Sequence, residues 1–205
     1  MTLYELLFIL LFLGSVIGLL LAAFLRRRFG SKILVALASV WAVYLVILMV
    51  TDICSSQRVF TPGEDQCFDE MCFAVSDLEI MSAQHVNLSG VEGSVIAVKV
   101  RATSHSRGRA QAEGGLRGRL YEGGTYIDPS VVAQQAYNAQ YGESPSLTQK
   151  LAPGESAVSV LVFEVPPGMT HPALILNHGF TPGYFVIGES PFFHEPDIHR
   201  LRNDW

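Results

Sequence analysis

The chain has 205 residues, 49% of them hydrophobic and only 16% charged. A soluble domain usually carries about 25% charged residues, so this composition excludes a chain that is one ordinary soluble domain throughout. The net charge of −5 and the clustered apolar residues also exclude a basic nucleic-acid binder and a disordered protein.

The apolar excess lies at the beginning. Residues 6–25 and 33–51 contain no charged side chain. As helices rising 1.5 Å per residue, they span about 30 Å, the thickness of a bilayer's hydrocarbon core. Only a short loop separates them, so the pattern predicts a two-helix transmembrane hairpin over residues 1–52. That loop carries Arg26, Arg27, Arg28 and Lys32. Basic residues next to membrane ends favour the cytoplasmic side, which places both the N-terminus and the bulk of the chain outside. A cleaved signal peptide needs its basic cluster ahead of the apolar stretch. Here only Glu5 precedes it, and the expectation is a retained anchor. No ionisable residue lies at membrane depth, where ion or proton pathways place them, so the hairpin reads as an anchor or assembly element. Gly14 and Gly18 form a small-xxx-small pair. Their first expected partner is the second helix and their next a homodimer, although glycine is also simply common in membrane helices.

From residue 53 onward the texture is that of a water-soluble domain, with seventeen acidic and ten basic residues and a net charge of −7. Residues 53–72 read as an extracytoplasmic linker and residues 73–205 as a β domain. Short runs at 73–81, 94–103, 116–121, 157–165, 173–176 and 184–187 carry the strand signal, with Tyr126 and Ile127 as a further short strand. In the second run Ile96, Val98, Val100 and Ala102 alternate with Lys99 and Arg101, one face dry and one wet. The run at 157–165 is apolar enough to lie between two layers. Residues 129–141 keep a helix-like spacing at Val132, Ala136 and Ala139 and read as a short helix or an ordered crossing between sheets. Tyr137 and Tyr141 would cover the end of the sandwich. Strands at roughly ten-residue spacing predict an all-β antiparallel sandwich.

In residues 151–166 (LAPGESAVSVLVFEVP), Pro153 and Gly154 set a turn, Leu161 and Phe163 point inward, and Pro166 ends the ladder by removing a donor. This stretch, with the VIAVKVRATS run before it, resembles the bacterial telokin-like, immunoglobulin-like domains of unknown function. The resemblance covers about residues 73–187 and implies an immunoglobulin-like sandwich. Residues 185–201 resemble the tail of membrane-anchored relatives. No catalytic residue is associated with that family, and sandwiches host many activities.

Three cysteines follow the helices. Cys67 and Cys72 lie outside the cytoplasm on this topology, where disulfides persist, and are expected to bond to each other. Cys54 is left as a free thiol or as an intermolecular link between two hairpins. The spacing is not that of a thioredoxin-like redox pair.

Metal-ligand types crowd together only at His194, Glu195, Asp197 and His199, where Pro196 prevents a helix from aligning the histidines. A solvated tail or edge strand is expected there, with His194 and His199 weak metal candidates. Glu64, Asp65, Asp69 and Glu70 lack the spacing of a calcium loop. Asn87 and Ser89 match a glycosylation sequon by chance. No cofactor is expected.

The sequence thus describes a non-catalytic protein of the bacterial inner membrane that acts in binding or assembly, its partners being the lipid bilayer and a membrane or envelope protein. An accessory subunit of a larger membrane complex is the second reading, and a metal-dependent extracytoplasmic enzyme the third.

Overall fold

A computed structural model describes residues 3–24, 30–54, 56–82, 94–178 and 196–202. The chain divides into two compact units, one containing the N-terminal helices and the other beginning at Arg58.

The first unit holds helices α1 (Leu3–Phe24) and α2 (Gly30–Cys54), each long and apolar enough to cross a membrane. They pack antiparallel through a narrow seam. The Trp41 indole donates to Ser15 Oγ at 2.9 Å, and its ring meets Phe8 edge-on with centroids 6.4 Å apart. Tyr44 and Leu48 are buried in the same cluster. Away from this seam the leucine, isoleucine and valine side chains are exposed. Ser15, Ser39 and Thr51 return their hydroxyl protons to carbonyls within their own helices. Lys32 lies in the first turn of α2, and Arg26, Arg27 and Arg28 fall outside the described residues.

The second unit is built on two sheets. One is a four-stranded antiparallel sheet ordered β2 (Gln66–Phe68), β3 (Met71–Ser82), β4 (Ser94–Ser104) and β7 (Ser156–Val165). The other has five strands ordered β1 (Val59–Phe60), β9 (Ile198–Arg200), β8 (Ala173–His178), β5 (Leu116–Glu122) and β6 (Thr125–Ile127). Their inner faces share one core, in which Phe73, Val98, Val100 and Phe163 meet Leu116, Leu120, Leu174 and Leu176.

Four differences from the sequence expectation have physical causes. First, the second sheet is mixed, because β1 pairs parallel to β9. Second, the stretch read as a linker supplies β1 and β2. Arg58 N–H donates to the Asp197 carboxylate at 2.9 Å and Arg58 C=O accepts from Ile198 N–H at 3.0 Å. Third, residues 198–200 are neither tail nor sheet edge, since β9 lies between β1 and β8. Fourth, the 129–141 stretch, which forms a helix, α3 (Val131–Tyr141), as the first of its two readings has it, covers the outer face of the four-stranded sheet and not the sandwich's end. Ser130 caps its N-terminus by accepting from Ala133 N–H, and Gly142 (φ 90°) ends it.

Helix α3 explains why β4 is apolar on both faces near its start. Ile96 and Val98 enter the inter-sheet core, while Val95 and Ala97 pack under Ala133 and Tyr137. Beyond the helix, Lys99 and Arg101 face water, and Lys99 pairs with Asp77 at 2.8 Å. A bulge between Val75 and Asp77 shifts the phase of β3, so that Phe73 and Val75 before it and Leu78 after it share the inner face. The run at 184–187 lies outside the described residues.

Candidate functional site

A groove of about 410 Å³ opens where β5, β7 and the segment following α3 converge. It results from a mismatch in strand length. β5 and β6 form a two-residue hairpin through Gly123 and Gly124, whose φ values of 55° and 87° suit the type I′ turn. The pairing runs only from Glu122↔Thr125 to Leu120↔Ile127, after which Asp128 and Pro129 leave the sheet toward α3. Among the described residues, the first half of β5 therefore has β8 on one side and no strand on the other.

Alternation along an antiparallel strand fixes which backbone groups face that open side. The turn makes Glu122↔Thr125 a hydrogen-bonded pair, and every second residue of β5 points the same way. Leu120 thus bonds to β6, while the N–H and C=O of Gly118 and Leu116 project into the groove, where no strand receives them.

The facing edge of β7 is treated differently. Its outward N–H groups at Val160 and Val162 donate to Ser144 Oγ and Gln134 Oε1, each at 3.1 Å, and Val162 C=O accepts from Ser130 N–H. Side chains of α3 and its flanks thus occupy the edge that a further strand would need. Between the two edges the floor is apolar, with Leu147 and Leu161. Ser159, 1% exposed, also lines the groove, and its hydroxyl has no hydrogen-bond partner among the described residues. Of the two charged side chains on the rim, Asp128 is held by Arg119 Nε at 2.7 Å, whereas Arg117 is exposed and unpaired among the described residues. A Cβ at Gly118 would lie 2.4 Å from Leu161 Cδ1, so any larger residue there needs the end of that side chain to shift.

The residues singled out from the sequence lie elsewhere. Cys67 and Cys72 face each other across the β2–β3 hairpin and form a disulfide, while Cys54 is free and exposed at the end of α2. Asp69, with φ 56°, occupies the hairpin's turn. Glu64 binds the Thr61 N–H and hydroxyl, and these bonds lower its pKa. Asp65 meets Arg101 at 3.4 Å, and Glu70 accepts from Gln111. Of the glycine pair, a Cβ on Gly18 would lie 3.0 Å from Leu37, whereas Gly14 has open space around it. Only Gly18 therefore touches the second helix.

His194 and Glu195 fall outside the described residues, as do Asn87 and Ser89. His199 is completely buried, stacked on Phe60 at 4.8 Å with Nε2 2.9 Å from Gln66 Oε1. Burial pulls its pKa down to about 4, against a smaller opposing effect of Glu64. Nε2 is thus engaged by Gln66, Nδ1 is buried with no partner among the described residues, and the Asp197 carboxylate is bound to Arg58 N–H. Among the described residues, no three His, Cys, Asp or Glu side chains converge.

No family model and no curated protein matches the chain. Among solved structures, a conserved hypothetical protein from Bacillus anthracis is similar over 58% of this chain and 89% of its own, with 16% identity and a TM-score of 0.43. The yjhA protein from Bacillus subtilis is similar over 70% of this chain and 99% of its own, with 14% identity and a TM-score of 0.41. Both are bacterial proteins.

Proposed function

We propose that the chain is a membrane-anchored protein of the bacterial inner membrane whose immunoglobulin-like β domain acts outside the cytoplasm, binding or assembling a partner without catalysing a reaction. The observation that carries this reading is the groove beside β5, an opening with an apolar floor, a polar rim bearing one unpaired arginine, and backbone groups that no described strand receives. Binding sites combine a mostly apolar wall with a few placed polar groups. The charged clusters around the domain have structural partners instead: Asp65 with Arg101, Asp77 with Lys99, and His178 with Glu113 at 2.7 Å.

The anchor reading rests on two helices of membrane-crossing length whose apolar side chains face outward. The basic loop between them supports an N-out, C-out orientation. In spheroplasts expressing the full chain, externally added protease is expected to digest the β domain while a cytoplasmic marker survives. A β domain that resists digestion until the membrane is lysed would overturn the orientation and the compartment together.

A further inference from the structure

The open edge of β5 is a pairing site for an extended peptide, and we infer that the partner docks there by adding a short strand that carries an acidic side chain. This deepens the binding reading above and rests on it. Three observations converge on the groove. Gly118 and Leu116 turn their N–H and C=O groups toward it, and an extended backbone supplies donors and acceptors at the spacing needed to meet both. Strand addition to a sheet edge is a recurrent mode of peptide capture, with main-chain bonds giving affinity and alternate side chains giving specificity. The opposite wall, the edge of β7, is already capped by Ser144 and Gln134. The added strand therefore has one edge to pair with.

The second observation is the buried Ser159 hydroxyl, which has no partner among the described residues and lines the same groove. A buried polar group without a partner is costly, and a polar side chain of the incoming strand is positioned to relieve it. The third is charge. Arg119 neutralises Asp128, leaving Arg117 as the one unpaired ionic group on the rim among the described residues. The complementary partner places a carboxylate opposite Arg117. The open run from Leu116 to Arg119 is four residues, about 13 Å of strand, so the footprint is short and the side-chain contacts set the selectivity.

A library of random decapeptides displayed on phage, selected against the full chain in detergent micelles, tests this. The expected result is enrichment of extended-type sequences containing Glu or Asp. As synthetic peptides, these slow hydrogen exchange at the Leu116 and Gly118 amides and lose about tenfold in affinity against Arg117→Glu, as attraction becomes repulsion. Arg117 is exposed, so that variant keeps the fold, which circular dichroism verifies. Failure to enrich any peptide, or binders that leave both amides exchanging freely, overturns the proposal.

A photo-crosslinking residue in intact cells separates this proposal from the broader one. Crosslinks to a partner from Arg117 support both. Crosslinks from Asp77 but none from Arg117 leave the binding function standing and remove the β5 edge. An absence of crosslinks from either position counts against both.

Discussion

His199 is placed to make the β domain acid-sensitive, and the effect can be worked from its surroundings. The ring is fully buried, stacked on Phe60, with Nε2 hydrogen-bonded to Gln66 Oε1 and Nδ1 without a partner. Neutral imidazole suits this site, because Nε2 carries the proton that Gln66 accepts. Protonation would add a second N–H, on Nδ1, with nothing to receive it, and a charge out of reach of water. The pKa accordingly falls from 6.5 to about 4. The unfolded chain then binds more protons than the folded one between these values, so stability decreases as pH drops from about 6.5 toward about 4 and levels off below. At 1.36 kcal/mol per unit, the loss is about 2 kcal/mol by pH 5 and about 3 kcal/mol by pH 4. Carboxylates titrate in the same range, so the measurement is a difference between wild type and His199→Phe, which keeps the stack on Phe60 and removes the titration. Urea denaturation of both full-length proteins in detergent, followed by the β-sheet circular dichroism signal from pH 7 to 4, gives two stability curves. The variant is expected to start lower at pH 7, having lost the Gln66 bond, and to gain on wild type as pH falls. A difference curve that stays flat from pH 6.5 to 4 would refute the reasoning.

Four other predictions concern packing and the cysteines. Thiol labelling of the denatured chain is expected to modify one cysteine, Cys54, before reduction and three after. Cys67→Ser with Cys72→Ser should cost about 2 kcal/mol in urea denaturation, the chain-entropy value for so small a loop. Gly118→Ala should destabilise the β domain by about 1 kcal/mol, the low end of overpacking costs, because the end of the Leu161 side chain can shift aside. Adding Leu161→Ala should recover part of that loss in a double-mutant cycle, since the two positions share the contact. In the hairpin, Gly18→Leu is expected to lower the yield of disulfide crosslinks between cysteines engineered across the α1–α2 seam, with Gly14→Leu leaving it unchanged, because only Gly18 faces Leu37.

What the sequence made legible follows the range of each signal. The two apolar stretches and the alternation around Val98 are local patterns, and the helices, β4, β5, β7 and β8 lie close to where those patterns place them. β1, β2 and β9 have two or three residues each, too few for any period to register. They exist because distant partners hold them, as Arg58 and Asp197 do across 139 residues. Lacking those partners, the sequence offers only a linker at one end and a tail or edge strand at the other. The covering of Val95 and Ala97 by α3 is likewise a long-range event, visible beforehand only as an unexplained excess of apolar residues at the start of β4.

The groove belongs to a third category, in which the signal is present but its meaning is not local. Gly118 stands on the apolar face of an otherwise alternating strand, and an isolated glycine in such a place marks a close approach of backbone or ligand. Here Leu161 supplies the close approach. The opening beside it, however, depends on where β6 departs from β5, and that follows from Asp128, Pro129 and the Ser130 cap turning the chain into α3. One local sequence, residues 128–130, therefore ends a hairpin, starts a helix, seals the edge of β7 through the Ser130 N–H and leaves the edge of β5 unsealed. The asymmetry between the two edges locates the pairing site, because a β domain that protects one strand edge with side-chain caps has the means to protect the other.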